Sequence, residues 1–176
     1  MSQEEDVPTD ATTLIYLAKA HAFELVPACA MRLIATPGVW REAVEDGETA
    51  GYPDAALIRG AETAGQVVRA ALSRSEALEA SSIASTHRLG QGESETLAIA
   101  SPNGRVLVDD GRATRVAMAL GYQPVSTLFL PVLAVRRRRL EGRAAKAVLR
   151  RLAQVAHVRA EAVIELERLI DDGGTQ

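Results

Sequence analysis

Short apolar runs alternate with amphipathic stretches over the first two thirds of the chain. Apolar residues at helical spacing over 12–19 predict a helix, and a short strand candidate over 7–9 precedes it. A second apolar run over 33–35 predicts another strand. It ends before Thr36 and Pro37, which are typical of a helix N-cap followed by proline at the first helical position.

The second half of the pattern repeats strand and helix and then becomes entirely helical. A compact apolar run over 105–108 predicts a strand, and a helix is expected over 111–120 because Gly121 is a typical helix end. A further strand candidate covers 123–126. From there to Asp172 the spacing of apolar residues is helical, which predicts a C-terminal group of helices.

Three stretches between these elements have weaker patterns. The helix that Thr36 opens is expected to give way to a loop over 47–53, after which Asp54 would cap the next helix. Residues 66–71 fit either a strand or a helix. The serine- and alanine-rich stretch over 73–87 fits either a surface helix or a loop.

This alternation predicts an α/β domain with a mainly parallel sheet, because parallel neighbours need crossover helices. The domain is expected over 1–140, with a basic helical extension over 141–176 packed on it. Hydrophobic residues make up 47% of the chain, enough for a sizeable core. Aromatic residues make up only 3%, which argues against an all-β fold.

Other features of the sequence concern the cellular compartment. The single cysteine, Cys29, excludes a disulfide within the chain and a cysteine-based zinc site, as is usual in a reducing cytoplasm. The N-terminus is acidic where a secretory signal carries positive charge. The apolar stretch over 128–135 is too short for a membrane span and contains Pro131. We therefore expect a soluble, cytoplasmic protein without membrane association.

Charge is distributed unevenly along the chain. The net charge is −3, but the segment 136–159 carries +8 and the remainder carries −11. Such a run is either a solvated helix face or a strip that holds phosphate groups. The residues of this candidate basic strip are Arg136, Arg137, Arg138, Arg139, Arg143 and Lys146.

Acidic residues are the main candidates for chemistry. Asp10 and one of the aspartates after 105–108 follow strands, so their side chains are expected in one crevice at the carboxyl ends of the sheet. Gathered carboxylates repel one another unless a cation neutralises them, and such hard ligands suit Mg²⁺ or Mn²⁺. Helix capping and exposed helix positions are the alternative interpretation. The candidate metal ligands are Asp10, Glu42, Glu93, Glu95, Asp109 and Asp110.

Four local motifs resemble those of PIN domains. Residues 10–19, DATTLIYLAK, are similar to the opening motif, and residues 37–42, PGVWRE, are similar to the second motif. Residues 89–100, LGQGESETLAIA, and 106–113, VLVDDGRA, resemble the third and fourth motifs of the VapC-like and DUF3368-like branch. The motifs occur in the family's order, and the resemblance covers about residues 7–140.

The resemblance implies a three-layer α/β fold with a central, mainly parallel sheet flanked by helices. It also implies a metal-dependent nuclease, since many such proteins are the RNA-cleaving toxins of toxin–antitoxin pairs. The catalytic residues that it implies are Asp10, Glu42, Glu93 and Asp110.

Two of these assignments stay open between neighbours. Glu93 is preferred to Glu95 because it follows Gly92, and the two side chains would lie about 200° apart on a helix, too far to share one metal ion. Asp109 and Asp110 would face opposite sides of a strand. One of them is expected to bind metal and the other to cap the next helix.

The chain departs from the family pattern in two places. Pro8 lies in the first strand, where it removes a backbone donor, so this strand is expected to be marginal or to begin late. The sequence STLF over 126–129 stands where the branch typically has Gly-Thr-Leu-Gly. Thr127 is retained, and both glycines are replaced.

The expected reaction is hydrolysis of RNA phosphodiester bonds by metal-bound water, with the basic strip contacting phosphates. RNA, an antitoxin protein and a second copy of the chain are the expected partners. The main alternative is a catalytically inactive PIN-like module that binds nucleic acid or a protein. A phospho-acceptor receiver domain is a weaker alternative, because Lys146 is the only lysine after Lys19.

Overall fold

Five short parallel strands form the centre of the protein, which we describe from a computed structural model over residues 4–173. The order β1-β2-β3 forms one group, and β4 pairs with β5. A parallel bridge between Thr9 and Leu107 joins the two groups, which gives the overall order β3-β2-β1-β4-β5. The strands are β1 (Glu5–Pro8), β2 (Met31–Ala35), β3 (Val67–Arg69), β4 (Arg105–Leu107) and β5 (Gln123–Val125).

Helices connect the strands and form the C-terminal part of the chain. A π-helical segment covers Arg41–Glu45, and a 3-10 turn covers Thr127–Phe129. The α-helices are α1 (Ala11–Lys19), α2 (Leu25–Ala28), α3 (Pro37–Trp40), α4 (Asp46–Thr49), α5 (Pro53–Thr63), α6 (Arg74–His87), α7 (Gln91–Ala98), α8 (Gly111–Ala119), α9 (Leu130–Arg136), α10 (Gly142–Val155) and α11 (Ala160–Gly173).

Successive side chains along β4 and the residue after it lie in two different hydrophobic cores. Leu107 packs in a core that includes residues of α1, α5 and α10, whereas Val106 and Val108 pack with residues of α6, α7 and α8. Because successive strand side chains face opposite sides of a sheet, helices cover both faces. The prediction of a three-layer α/β fold is confirmed.

The first strand is longer and begins earlier than Pro8 suggested. It pairs with β2 from Glu5 to Pro8, so the expectation of a strand that is marginal or begins late is wrong. The N–H groups of Glu5 and Thr9 donate toward the β2 side, whereas the N–H of Asp10 donates to Leu107 of β4. Pro8, two residues before Asp10, therefore lacks a donor only on the β4 side.

The helix that Thr36 caps also differs from the prediction. It continues through the π-helical segment to Thr49, so the loop expected over 47–53 is wrong for its first part. Nor does Asp54 cap α5: Tyr52 occupies the N-cap position, and Asp54 lies buried in the first turn. Proline at the first helical position was the available signal for that boundary.

The two stretches that the sequence left open have definite structures. Residues 66–71 contain β3, which pairs with β2. Residues 73–87 contain α6, which begins with a capping box between Ser73 and Glu76.

The last three helices pack on one another and on the domain. Leu149 of α10 lies in a cluster with Val132 of α9 and Ile170 of α11, whereas Leu152, about one turn later, lies in the core under the sheet. In residues 4–173, no helix combines the length and the apolar character that crossing a membrane requires.

Candidate functional site

Asp10 lies where β1 ends and α1 begins, and its backbone and side chain are both fixed. Its N–H donates to the carbonyl of Leu107, at 3.0 Å. Its Oδ1 accepts the N–H of Thr13 at 2.7 Å, which caps α1, and its Oδ2 accepts the N–H of Asp109 at 3.1 Å. The residue is only 2% exposed. Asp10 therefore caps α1 and also lies at the carboxyl end of the sheet, so the two interpretations of this residue do not exclude each other.

Asp109 lies against Asp10, just beyond β4, and three hydroxyl groups surround its carboxylate. Its Oδ1 accepts the hydroxyl of Ser126 at 2.7 Å and the N–H of Thr127 at 3.1 Å. Its Oδ2 accepts the hydroxyl of Thr13 at 3.1 Å and also the hydroxyl of Thr127. These donors hold the carboxylate at the end of the sheet beside Asp10.

Asp110 has a different role from its neighbour. Its Oδ1 accepts the N–H groups of Arg112 and Ala113, at 2.7 and 3.0 Å, which caps α8. The residue is exposed. The two consecutive aspartates are thus divided between the pair with Asp10 and a helix cap.

The carboxylates of Asp10 and Asp109 are close enough to repel each other. The pKa of Asp10 is raised from its ordinary value of 3.8 to about 7, chiefly by burial. The charge of Asp109 contributes to this rise, and the hydrogen bonds from Thr13 and Asp109 oppose it. Burial, followed by the charges of Asp109 and Asp10, also raises the pKa of Tyr16. Tyr16 thus lies within the field of the pair, on the helix that Asp10 caps.

Glu42 and Glu93 form a second acidic pair. Glu42 lies in the π-helical segment, a feature often found at functional sites. Burial raises its pKa, and the charges of Glu93 and Asp46 add to this against Arg41. Glu93 accepts the N–H of Gly90 at 2.9 Å through Oε2, which caps the start of α7. Each glutamate therefore lies in the field of the other.

Glu95 faces away from this pair and lies buried against α3. Its Oε2 accepts the N–H of Gly38 at 2.6 Å, and its Oε1 accepts the Nε2 amide of Gln91 at 2.6 Å. A Cβ at Gly38 would lie 2.8 Å from Oε2, so only glycine fits there without a shift. Glu95 thus joins α7 to the first turn of α3.

Close packing of α3 against α7 brings Glu42 and Glu93 together. The hydroxyl of Thr96 donates to the carbonyl of Thr9 at 2.9 Å, which anchors α7 at the end of β1. Gly92 lies so near Val39 that a Cβ there would meet its side chain at 3.2 Å. This approach of α3 and α7 brings Glu93 toward the segment that carries Glu42.

The acidic candidates form two pairs rather than one cluster. Across residues 4–173, no group of three or more histidine, cysteine, aspartate or glutamate side chains is close enough to hold a metal ion. The donor chemistry of the Asp10–Asp109 pair nevertheless fits a hard divalent cation, since such an ion binds carboxylate oxygens and neutralises two carboxylates that repel each other. Asp10 accepts the backbone N–H of Thr13 at one oxygen and that of Asp109 at the other, and a carboxylate offers about four acceptor positions, which leaves room for a ligand.

The candidate basic strip divides into two parts. On α10, Lys146 pairs with Asp171 at 2.7 Å, and the neighbouring Arg150 pairs with Glu167 at 2.7 Å, so this part is engaged with α11. The other part begins with the last residue of α9. Its exposed residues are Arg136, Arg137, Arg138 and Arg139, followed after Glu141 by Arg143 near the start of α10. Arg138 and Arg139 line an open cavity of about 600 Å³.

Sequence reasoning missed the groups that hold Asp109. Thr13 and Ser126 were not singled out as site residues, although Thr13 follows a candidate aspartate and Ser126 follows a strand. Ser126 and Phe129 replace the glycines of the family pattern at no cost to the backbone, since their φ angles are −78° and −86°. Position at the carboxyl end of a strand was the signal that could have pointed to Ser126.

Comparison with known proteins gives one finding. A family model, DUF3368, described as a PIN domain, matches residues 7–169. No curated protein and no solved structure matches the chain. PIN domains are in general nucleases and typically use divalent metal ions. With almost its whole length matched and the acidic residues at the ends of parallel strands, the chain belongs to the PIN-domain family.

Proposed function

We propose that the protein is a metal-dependent endoribonuclease that hydrolyses RNA phosphodiester bonds. The observation that carries the proposal is the pair of buried Asp10 and half-buried Asp109 at the carboxyl ends of β1 and β4. Keeping a buried and a half-buried carboxylate side by side costs free energy, which a divalent cation would recover by neutralising their charge.

The roles of the residues follow from their surroundings. Asp10 and Asp109 would hold Mg²⁺ or Mn²⁺, and the ion supplies a water of lowered pKa and positive charge for the phosphate. Glu42 would accept a proton at its carboxylate, since burial and then the charge of Glu93 raise its pKa above its ordinary value. Asp110 and Glu95 serve the fold, as a helix cap and as a packing group.

The exposed arginines after α9 would bind the RNA backbone. Arg139 is exposed and lines an open cavity, whereas Arg150 is held in an ion pair with Glu167. We therefore expect Arg139→Ala to lower RNA affinity several-fold and to reduce its salt dependence by about one counterion, and Arg150→Ala to change both much less. Fluorescence anisotropy over a salt series measures both quantities. Equal losses in the two variants would contradict this division of the strip.

The test of the activity is cleavage of an RNA and single-stranded DNA panel in Mn²⁺, in Mg²⁺ and in EDTA. Asp10→Asn is compared with wild type and with Asp6→Asn, which makes the same chemical change at an exposed ion pair of β1. We expect RNA cleavage that requires metal, falls at least about 1,000-fold in Asp10→Asn and persists in Asp6→Asn. Cleavage that survives in EDTA or in Asp10→Asn would sink the proposal.

A second experiment separates the consecutive aspartates. Asp109→Asn removes a charge beside Asp10, whereas Asp110→Asn changes a helix cap that asparagine can also provide. We expect a large loss of cleavage in Asp109→Asn and a small one in Asp110→Asn. The opposite ranking would return the fourth acidic position to Asp110.

The physiological setting that we propose is a toxin whose partner is an antitoxin protein, with a homodimer as the assembled form. The support is the resemblance of 89–100 and 106–113 to the toxin branch of the family. Induced expression should then arrest growth in wild type and not in Asp10→Asn. Growth arrest by both would point to toxicity without catalysis.

One observation favours a second candidate function, a PIN-like module that binds RNA without turnover. The carboxylate of Asp109 already accepts four hydrogen bonds within the protein. A folded protein that binds RNA and cleaves none of the panel under any metal condition would support this alternative.

A further inference from the structure

The carboxylate of Asp109 has no acceptor position to spare. An ionised carboxylate offers about four lone-pair positions, and four donors from the protein occupy them. Three of these donors are hydroxyl groups, those of Thr13, Ser126 and Thr127. A cation can therefore use an oxygen of Asp109 only if at least one donor leaves it.

Thr13 holds both members of the pair at once. Its N–H donates to Oδ1 of Asp10 at 2.7 Å, and its hydroxyl donates to Oδ2 of Asp109 at 3.1 Å. The two donor hydrogens place partial positive charge beside two carboxylates that repel each other. The two donor groups of Thr13 therefore offset part of the repulsion between Asp10 and Asp109.

Ser126, just before the 3-10 turn, also places a donor hydrogen beside the carboxylate of Asp109. Its hydroxyl donates to Oδ1 of Asp109 at 2.7 Å and accepts the N–H of Leu128 at 3.3 Å at the start of the 3-10 turn. The backbone there has ordinary negative φ, so the hydroxyl can be removed without a change of backbone conformation. Ser126 is therefore the position at which the effect of the hydroxyl can be isolated.

We infer that Thr13 and Ser126 are positioning residues whose hydroxyls hold the carboxylate of Asp109 and compete with a divalent cation for its oxygens, which lowers the affinity of the site for that cation. The inference rests on the proposed function, because it assumes that the Asp10–Asp109 pair is the cation site. A cation must displace a hydrogen bond to a charged group to reach Asp109. Removing that hydrogen bond beforehand removes the competition.

The test is titration of the metal-stripped protein with MnCl₂ by calorimetry. We expect Ser126→Ala and Thr13→Val to bind Mn²⁺ about tenfold more tightly than wild type, the factor that corresponds to one charge-assisted hydrogen bond. Ser126→Thr, which restores a hydroxyl, should return to the affinity of wild type. The Tm of each metal-free variant should fall, and the rise of Tm on adding Mn²⁺ should increase.

Two matched controls remove hydroxyls elsewhere. Ser73→Ala removes a helix-capping hydroxyl from α6, and Thr63→Val removes a hydroxyl that donates to the carbonyl of Arg59. Both should bind Mn²⁺ like wild type. Thr13 is buried, and if Thr13→Val does not fold, Ser126→Ala decides the question, since Ser126 is half-buried.

The outcomes separate this inference from the proposed function. If wild type binds Mn²⁺ and Ser126→Ala binds it equally or more weakly, the exchange is wrong while the nuclease proposal stands. If Mn²⁺ binds neither to wild type nor to any variant, Asp10→Asn included, the cation site itself is wrong and both proposals fall.

Discussion

The two acidic pairs are held by different kinds of structure. Asp10 and Asp109 lie at the ends of parallel strands, and backbone and hydroxyl donors fix both carboxylates. Glu42 and Glu93 lie on helices that approach each other, where Glu42 is exposed and Glu93 caps α7. The strand pair, Asp10 and Asp109, is thus fixed in position, and its charges repel each other in a largely buried place. The helix pair, Glu42 and Glu93, is more exposed, so solvent screens the repulsion between its charges.

The largest expected effect is that of pH on the metal-free protein, through Asp10. The pKa of Asp10 is about 7 in the folded state and 3.8 ordinarily, so the folded state binds the proton more tightly. Its contribution to stability is complete below about pH 4 and is lost as pH rises through 7, by an amount of the order of 4 kcal/mol. Urea denaturation in EDTA between pH 4 and 8 measures this fall.

Asp10→Asn should remove that part of the pH dependence, because asparagine does not titrate. Glu42→Gln is the comparison from the Glu42–Glu93 pair. Its profile should follow wild type more closely, because Glu42 is exposed and solvent screens the charges that raise its pKa. Parallel profiles for wild type and Asp10→Asn would show that the strand pair carries no buried electrostatic cost.

An intermediate effect is expected at Gly38, which tests the contrast between Glu95 and Glu93. The added methyl group of Gly38→Ala would lie 2.8 Å from Oε2 of Glu95 and would displace it from its hydrogen bond. We expect a loss of about 1–3 kcal/mol in the free energy of unfolding.

Gly60→Ala is the matched control for this substitution. Nothing lies within 4 Å of a Cβ there, and the residue is within α5, so alanine should stabilise the protein by about 0.5–1 kcal/mol. Equal stabilities for the two variants would mean that Glu95 adapts at no cost and is not a packing group.

The smallest effect is expected within the helix pair, on the pKa of Glu42. The charge of Glu93 raises this pKa, so Glu93→Gln should lower it while glutamine keeps an oxygen for the cap of α7. Arg41→Gln should raise it, since Arg41 opposes the shift. Carbon-detected NMR of the Glu42 carboxyl group follows both titrations. Shifts of the same sign in the two variants would show that the pair does not interact through charge.

The sequence predicted the fold class and most strands, because apolar runs and helix signals are local properties. The run over 105–108 and the cap at Thr36 are examples. Three residues of β3 were ambiguous, since pairing with β2 rather than local preference makes them a strand. The continuation of the helix through Arg41–Glu45 also depends on packing that no local pattern records.

The candidate site was predictable in its residue types and less so in its geometry. The positions of Asp10 and Asp109 after strands followed from the pattern, whereas the choice between Asp109 and Asp110 depended on backbone direction. The donors to Asp109 include Thr13, 96 positions earlier in the chain, and Ser126, 17 positions later. Contacts of such different separation arise only from the folded topology.

Amide hydrogen exchange can report on the junction between β1 and β4, where Pro8 lacks an amide hydrogen. Pro8 has no amide hydrogen to offer β4, so two amide hydrogens at the junction of the sheet halves belong to the site itself, those of Asp10 and Asp109. Their exchange with deuterated solvent requires that junction to open. Isotope exchange at two positions therefore measures, without substrate, how firmly the acidic pair fastens one half of the sheet to the other.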